Sequence, residues 1–164
     1  MSASSQTTRL QRAIWENAAR AARRESTQTL SRILGHTVSP SDFTSVDEFR
    51  ARMQPAQMPA LHEERFQESD RNAMLTRLRG LEGLGTPSQA VLWFNSSERL
   101  GGLRVSSTPT AEVVLDLVDW DRDDVWVFDA SDNLLVHVDR GEDWLEPGDF
   151  GSRQMLYIVN TPKT

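Results

Sequence analysis

Two hydrophobic periods divide the chain. From Thr8 to Leu34 apolar side chains recur near every 3.6 residues, at Leu10, Ile14, Ala18, Ala21 or Ala22, Leu30, Ile33 and Leu34, which predicts an amphipathic helix. Arg9, Arg12, Arg20, Arg23, Arg24 and Arg32 fill most of the other positions, so the opposite face is basic. Ser26-Thr27 leaves open whether this is one helix or two, and Gly35 stands where a C-terminal cap belongs. Ser45-Val-Asp-Glu48 reads as a capping box that opens a short helix to about Met53. Pro55 and Pro59 then impose an extended connector. A further helix is expected from Ala60 to about Leu81, with Leu61, Phe66, Met74, Leu75 and Leu78 along one side, ended by Gly80, Gly83 and Gly85.

Past Pro87 the period falls to two. Ala90 to Phe94 has the length and composition of a strand, with Leu103 to Val105 as its hairpin partner. Thr108-Pro109 is expected to start a short helix ending near Trp120, with Thr108 as the cap. Val125 to Phe128 and Leu134 to Val138 are two strands joined by Asp129-Ala-Ser-Asp-Asn133, residues that hydrogen-bond their own backbone in turns. Met155 to Val159 is a last strand. Helices followed by strands predict an α+β fold: N-terminal helices packed on a small, mainly antiparallel sheet with one inserted helix. The expected organisation is a helical region over 1–85 and an acidic β-rich region over 86–164, together one compact unit of the usual domain size.

Charge sharpens this division. The net formal charge of −6 conceals a gradient: residues 1–85 carry twelve basic against ten acidic side chains, and residues 86–164 six against fourteen. Between 110 and 149 only Arg122 and Arg140 oppose thirteen carboxylates. Such an excess repels nucleic acid and attracts basic surfaces. The chain has no cysteine, which excludes thiol nucleophiles, cysteine-zinc sites and disulfides and fits a reducing compartment. No apolar run approaches the ~18 residues of a membrane span. The expectation is a cytoplasmic protein without a membrane partner. Arginine supplies all but Lys163 of the eighteen basic residues, a bias of the kind seen in GC-rich bacterial genomes.

Candidate chemistry is sparse. His62-Glu-Glu-Arg-Phe66 opens like a zinc-protease helix, but the second imidazole needed at i+4 is replaced by Phe66. Asp119, Asp121 and Asp123 match the first ligand positions of a calcium loop, yet Asp124 stands where its glycine belongs and Ala130 where its glutamate belongs. An irregular oxygen cage of Asp121, Asp123 and Asp124 stays open, against the plainer reading of a solvated acidic turn. His137 shares a strand face with Leu135 and Asp139 under simple alternation, and a His137–Asp139 pair is the one candidate for general-base chemistry. A half-exposed strand histidine is the plainer reading, and no serine elbow accompanies it. The basic first helix offers phosphate contacts in principle, but the acidic total favours pairing with the chain's own carboxylates or with water. No cofactor is expected.

Aromatic residues among the carboxylates carry the remaining signal. Trp120 lies between Asp119 and Asp121, Trp144 follows Asp143, and Trp126 shares a strand face with Phe128. Rings that desolvate and charges that steer are the ingredients of a protein-binding surface. The expected partner-binding residues are therefore Asp119, Trp120, Asp121, Asp123, Asp124, Trp126, Glu142, Asp143, Trp144 and Glu146, although some of these rings belong in a core. The stretch Asp124-Val-Trp-Val-Phe-Asp129, then Leu134-Leu135, then Asp139-Arg-Gly-Glu-Asp143 resembles the C-terminal hairpin of small bacterial toxin-immunity proteins, over roughly residues 90–145. That resemblance implies a non-catalytic antitoxin that covers the cleft of a basic protein partner. A secretion or assembly chaperone is the alternative, and a small hydrolase centred on His137 and Asp139 a more distant one.

Overall fold

The computed structural model describes residues 3–52, 59–144 and 153–163. Helix α1, Ala3–Leu34, runs without a break through Ser26-Thr27. It ends at Gly35, whose φ of +73° is a left-handed cap and whose N–H donates to the Ser31 carbonyl. Helix α2, Val46–Arg52, starts as expected, with the Ser45 hydroxyl accepting from the Glu48 N–H at 3.1 Å.

The next segment departs from expectation. Leu61–Gln67 is a strand, β1, and the helix begins only at Arg71, as α3, Arg71–Arg79. Helical spacing of Leu61 and Phe66 with Met74 and Leu78 is coincidental. All seven residues of β1 register antiparallel with Leu156 to Pro162 of β6, Arg153–Pro162. A complete ladder outweighs the weak strand propensity of His62, Glu63, Glu64 and Arg65. The same charges suit an edge strand, where they discourage pairing with a further chain.

The remaining elements are β2, Ala90–Phe94; a one-turn α4, Ser97–Leu100, within the expected hairpin; β3, Leu103–Val105; α5, Ala111–Asp121; β4, Asp124–Asp129; and β5, Leu134–Trp144. Helix α5 starts two residues later than expected. Thr110 is its cap, accepting from the Val113 N–H, and Thr108 instead donates to the Gly83 carbonyl at 2.6 Å and accepts from the Thr86 N–H. Thr108 thereby pins the glycine turn to the start of α5.

Among the described residues the sheet has the order β1-β6-β5-β4-β2-β3, antiparallel throughout, so the fold is α+β. A strand from residues 1–85 closes an edge of the sheet formed by 86–164, and the two regions share one core. Leu30 of α1, Met74 and Leu78 of α3 and Val114, Leu115, Leu117 and Val118 of α5 are fully buried against Leu92, Val125, Val127, Val136, Val138 and Val159. The opposite face holds a smaller cluster of Trp93, Phe128 and Leu134, with Leu61, Val91 and Trp126 packed at its margin. No helix among the described residues is long and apolar enough to cross a membrane.

In α1 Ala19 and Leu30 are buried, and Ala22 and Ile33 are partly buried against the core. Ile14 and Ala18, expected on the apolar face, are exposed. Among the described residues no α1 arginine pairs with the acidic sheet, and Arg23 donates instead to the Leu100 and Thr44 carbonyls at 2.7 and 2.8 Å and lies over the Phe43 ring. Burial lowers the Arg23 pKa.

Gly101, at φ +81°, is pressed against the Thr44 carbonyl, where an added Cβ would collide with backbone. Gly35 has an equally left-handed backbone but open space around it. Gly35→Ala should cost about 1 kcal/mol of unfolding free energy, and Gly101→Ala roughly 2–4 kcal/mol. Urea titration of the two variants checks the ordering, and equal losses would contradict the packing at Gly101.

Candidate binding face at the acidic end of the sheet

Strand alternation builds the site. Burying Val125 and Val127 turns Asp124, Trp126 and Phe128 to the face away from the helices. The cross-strand partners on β5 are Asp139 opposite Asp124 and His137 opposite Trp126, and Asn160 of β6 lies opposite His137. Between Val127 and Phe128 the register shifts, with Phe128 paired to Leu134 and Val127 to Val136. Leu135 is the extra residue, and it packs toward the helix-side core. This bulge places Leu135 and His137 on opposite faces, contrary to simple alternation.

His137 is buried and stacks on Trp126, with ring centroids 3.6 Å apart and planes 11° from parallel. Asp124 ties the pair together: its Oδ2 accepts from the Trp126 indole N–H at 2.6 Å and lies 3.3 Å from His137 Nε2. The Nε2 contact is close but is not aligned as a hydrogen bond. On the other side, His137 Nδ1 lies 3.1 Å from Asn160 Nδ2. An Asn160 amide donating there leaves the imidazole proton on Nε2, facing Asp124. The carboxylate at His137 Nε2 is thus Asp124, where the sequence suggested Asp139. Asn160 went unnoticed because its place beside His137 follows from β5–β6 register.

Asp123 and Asp139 complete the cluster. Burial, then the neighbouring charge of Asp124, raises the Asp123 pKa against the opposing pull of His137. Burial likewise raises that of Asp139, with His137 opposing and Asp124 and Asp123 reinforcing. Among the described residues no arginine or lysine forms an ion pair with Asp123, Asp124 or Asp139. Elsewhere the chain does match its carboxylates, as in Glu64 with Arg77, Glu112 with Arg79 and Glu48 with Arg104.

The other expected binding residues are dispersed. Asp119 lies on the helix side, 3.0 Å from Arg71, 3.8 Å from Arg140, and accepting from the Tyr157 hydroxyl at 2.9 Å. Trp120 packs on the core, edge-on to Phe94. Asp121 accepts from the Asn95 N–H at 2.8 Å and the Ser96 N–H at 3.4 Å, and burial raises its pKa in spite of these bonds. The charge of Asp124 adds to the rise, but Asp121 spends its carboxylate on those backbone N–H groups, and no group of three metal-ligating side chains converges among the described residues. Glu142, Asp143 and Trp144 continue β5, where the backbone is described but the side chains are not, and Glu146 lies outside the described residues. Of the ten, then, Asp123, Asp124 and Trp126 are brought together.

Compared with known proteins, the chain matches no family model, no curated protein and no solved structure.

Two aspartates should respond oppositely to neutralisation. Asp119→Asn loses an ion pair and weakens a charged hydrogen bond, and should cost about 1 kcal/mol at neutral pH, partial exposure holding the figure down. Asp139→Asn removes a repelled charge and should raise the melting temperature. The sign follows from linkage: a folded-state pKa raised above the ordinary aspartate value of 3.8 means stability is greatest below that value and declines as pH rises through the folded pKa. The gain from Asp139→Asn should therefore shrink to nothing in thermal melts below about pH 4. A gain that persisted at low pH would point to packing instead of charge.

Proposed function

We propose that this chain is a non-catalytic, cytoplasmic binding protein of the immunity or antitoxin type, covering a basic protein partner with the acidic end of its sheet. The observation that carries the reading is the cluster of Asp123, Asp124 and Asp139 beside Trp126, close together and without an arginine among the described residues to offset them. Like charges directly across a strand pair disfavour the folded state, and a partner's arginine or lysine would relieve that repulsion on docking. Stability given up in the free protein returns as association energy and, at longer range, as steering.

A catalytic reading draws on the Asp124, His137 and Asn160 arrangement. It is the weaker of the two. The imidazole is buried, stacked under Trp126, with both nitrogens facing this chain's own groups, whereas a general base has to reach a substrate proton.

The test begins with the product of the neighbouring reading frame, mixed with the wild-type protein and with an Asp124→Asn/Asp139→Asn variant. The association rate should fall at least about tenfold in the variant at low ionic strength, and the difference should shrink as salt screens the charges. His137→Ala should leave the inhibitory effect on the partner intact. Equal association rates for wild type and the double variant would remove the acidic end from the interface.

A further inference from the structure

Of the three histidines, His36 and His62 are exposed and only His137 is enclosed. Strand β4 supplies Trp126, stacked on the ring with centroids 3.6 Å apart, and Asp124, 3.3 Å from Nε2, with Asp123 just before it. Strand β5 itself supplies Asp139, two residues on, and β6 the uncharged Asn160, 3.1 Å from Nδ1. Glu63 of β1 stands opposite Asn160, one strand further out, with its carboxylate paired to Arg65 at 2.7 Å. Trp93 of β2 stands opposite Trp126 and carries no charge. Nε2 makes no hydrogen bond and faces Asp124.

An asparagine at Nδ1 makes both charge states of the ring tolerable. With the imidazole neutral, the Asn160 amide nitrogen donates to Nδ1 and the ring proton sits on Nε2. When a second proton arrives at Nδ1, a half-turn of the amide brings its carbonyl oxygen round to accept it, and no buried polar group is orphaned. A carboxylate or a main-chain carbonyl in that place could only accept, and a lysine or arginine could only donate. The imidazolium then lies against the Trp126 face and beside Asp124, both of which attract a cation. Asp123 and Asp139 feel the same ring, for its charge opposes the rise that burial imposes on both carboxyl groups.

We propose, on the reading of this end of the sheet as a docking surface, that His137 is a proton switch for it: neutral, the ring leaves Asp123, Asp124 and Asp139 to attract a basic partner, and protonated, it cancels one of their three charges and weakens the hold. The device works by charge, with the ring and the amide staying where they are. Association strengthens as pH rises through the interval in which an imidazole ordinarily loses its second proton and weakens as pH falls through it.

Calorimetry of the full chain with a short polyarginine peptide, whose own charge is constant over the range, tests this at low salt between about pH 8 and about pH 5. For wild type the dissociation constant should rise at least about fivefold toward the acid end, and less at high salt. Near the midpoint, binding should release protons, seen as a dependence of the measured heat on the ionisation enthalpy of the buffer. His137→Gln keeps the carboxylates, so it should match wild type at about pH 8 and hold that affinity down to about pH 5.5. Asn160→Asp puts an acceptor-only carboxylate at Nδ1 and should move the midpoint upward by about one pH unit. Proton NMR of the His137 ring in wild type gives a reading that needs no variant, and a ring that stays neutral down to about pH 5 overturns the switch. So does a wild-type affinity that is level across the range, or a His137→Gln variant with the full pH dependence; each of these leaves the acidic end standing as a docking surface. No binding of the peptide to wild type at about pH 8 in low salt removes both.

Discussion

Burial of the β4 and β5 valines against α5 is the interaction on which the rest of the structure depends. Val125, Val127, Val136 and Val138 are sealed from water against Val114, Leu117 and Val118. Because side chains on a strand alternate, sealing those four leaves Asp124, Trp126 and Phe128 no place but the far face, and puts His137 and Asp139 beside them. At about 1.5–3 kcal/mol for each large aliphatic side chain fully buried, the valines outweigh the electrostatic cost of setting Asp124 opposite Asp139. The anionic cluster is thus a consequence of the core, tolerated because the opposite register would expose the valines.

How the chain distributes its arginines decides which carboxylates matter. Arg71 and Arg140 converge on Asp119, Arg77 reaches Glu64, Arg79 reaches Glu112 and Arg104 reaches Glu48. These pairs link helices to strands and helices to each other. Asp121 is satisfied by backbone N–H groups instead, holding α5 to the start of α4. Asp123, Asp124 and Asp139 are left grouped together without an arginine among the described residues, tempered by one histidine. A count of acidic residues over 110–149 therefore overstates the available charge, and the difference lies in which carboxylates the fold consumes internally.

Among the described residues the arginines of α1 meet no carboxylate of the sheet. Arg23 spends its guanidinium on the Leu100 and Thr44 carbonyl oxygens and the Phe43 ring, so it ties α1 to α4 and to the chain before α2.

The α+β class, the strands β2 to β6, the Gly35 cap, the Ser45 half of the capping box and the Asp129 to Asn133 turn were legible in the sequence, because each rests on local periodicity or on a side chain bonding its own backbone. Trp126 and Asp124 were legible as neighbours for the same reason, two residues apart on one strand. Strand β1 was not, because its residues have no intrinsic preference strong enough to announce it and only the ladder to β6 makes it a strand. Nor could local pattern show that Asp119 turns to Arg71, that the bulge at Leu135 parts it from His137, that Asn160 meets that imidazole, or that Ile14 and Ala18 stay exposed. Each of these depends on contacts between segments far apart in the chain. Hydrophobic period determined which residues can share a face, and long-range register and packing decided which faces meet.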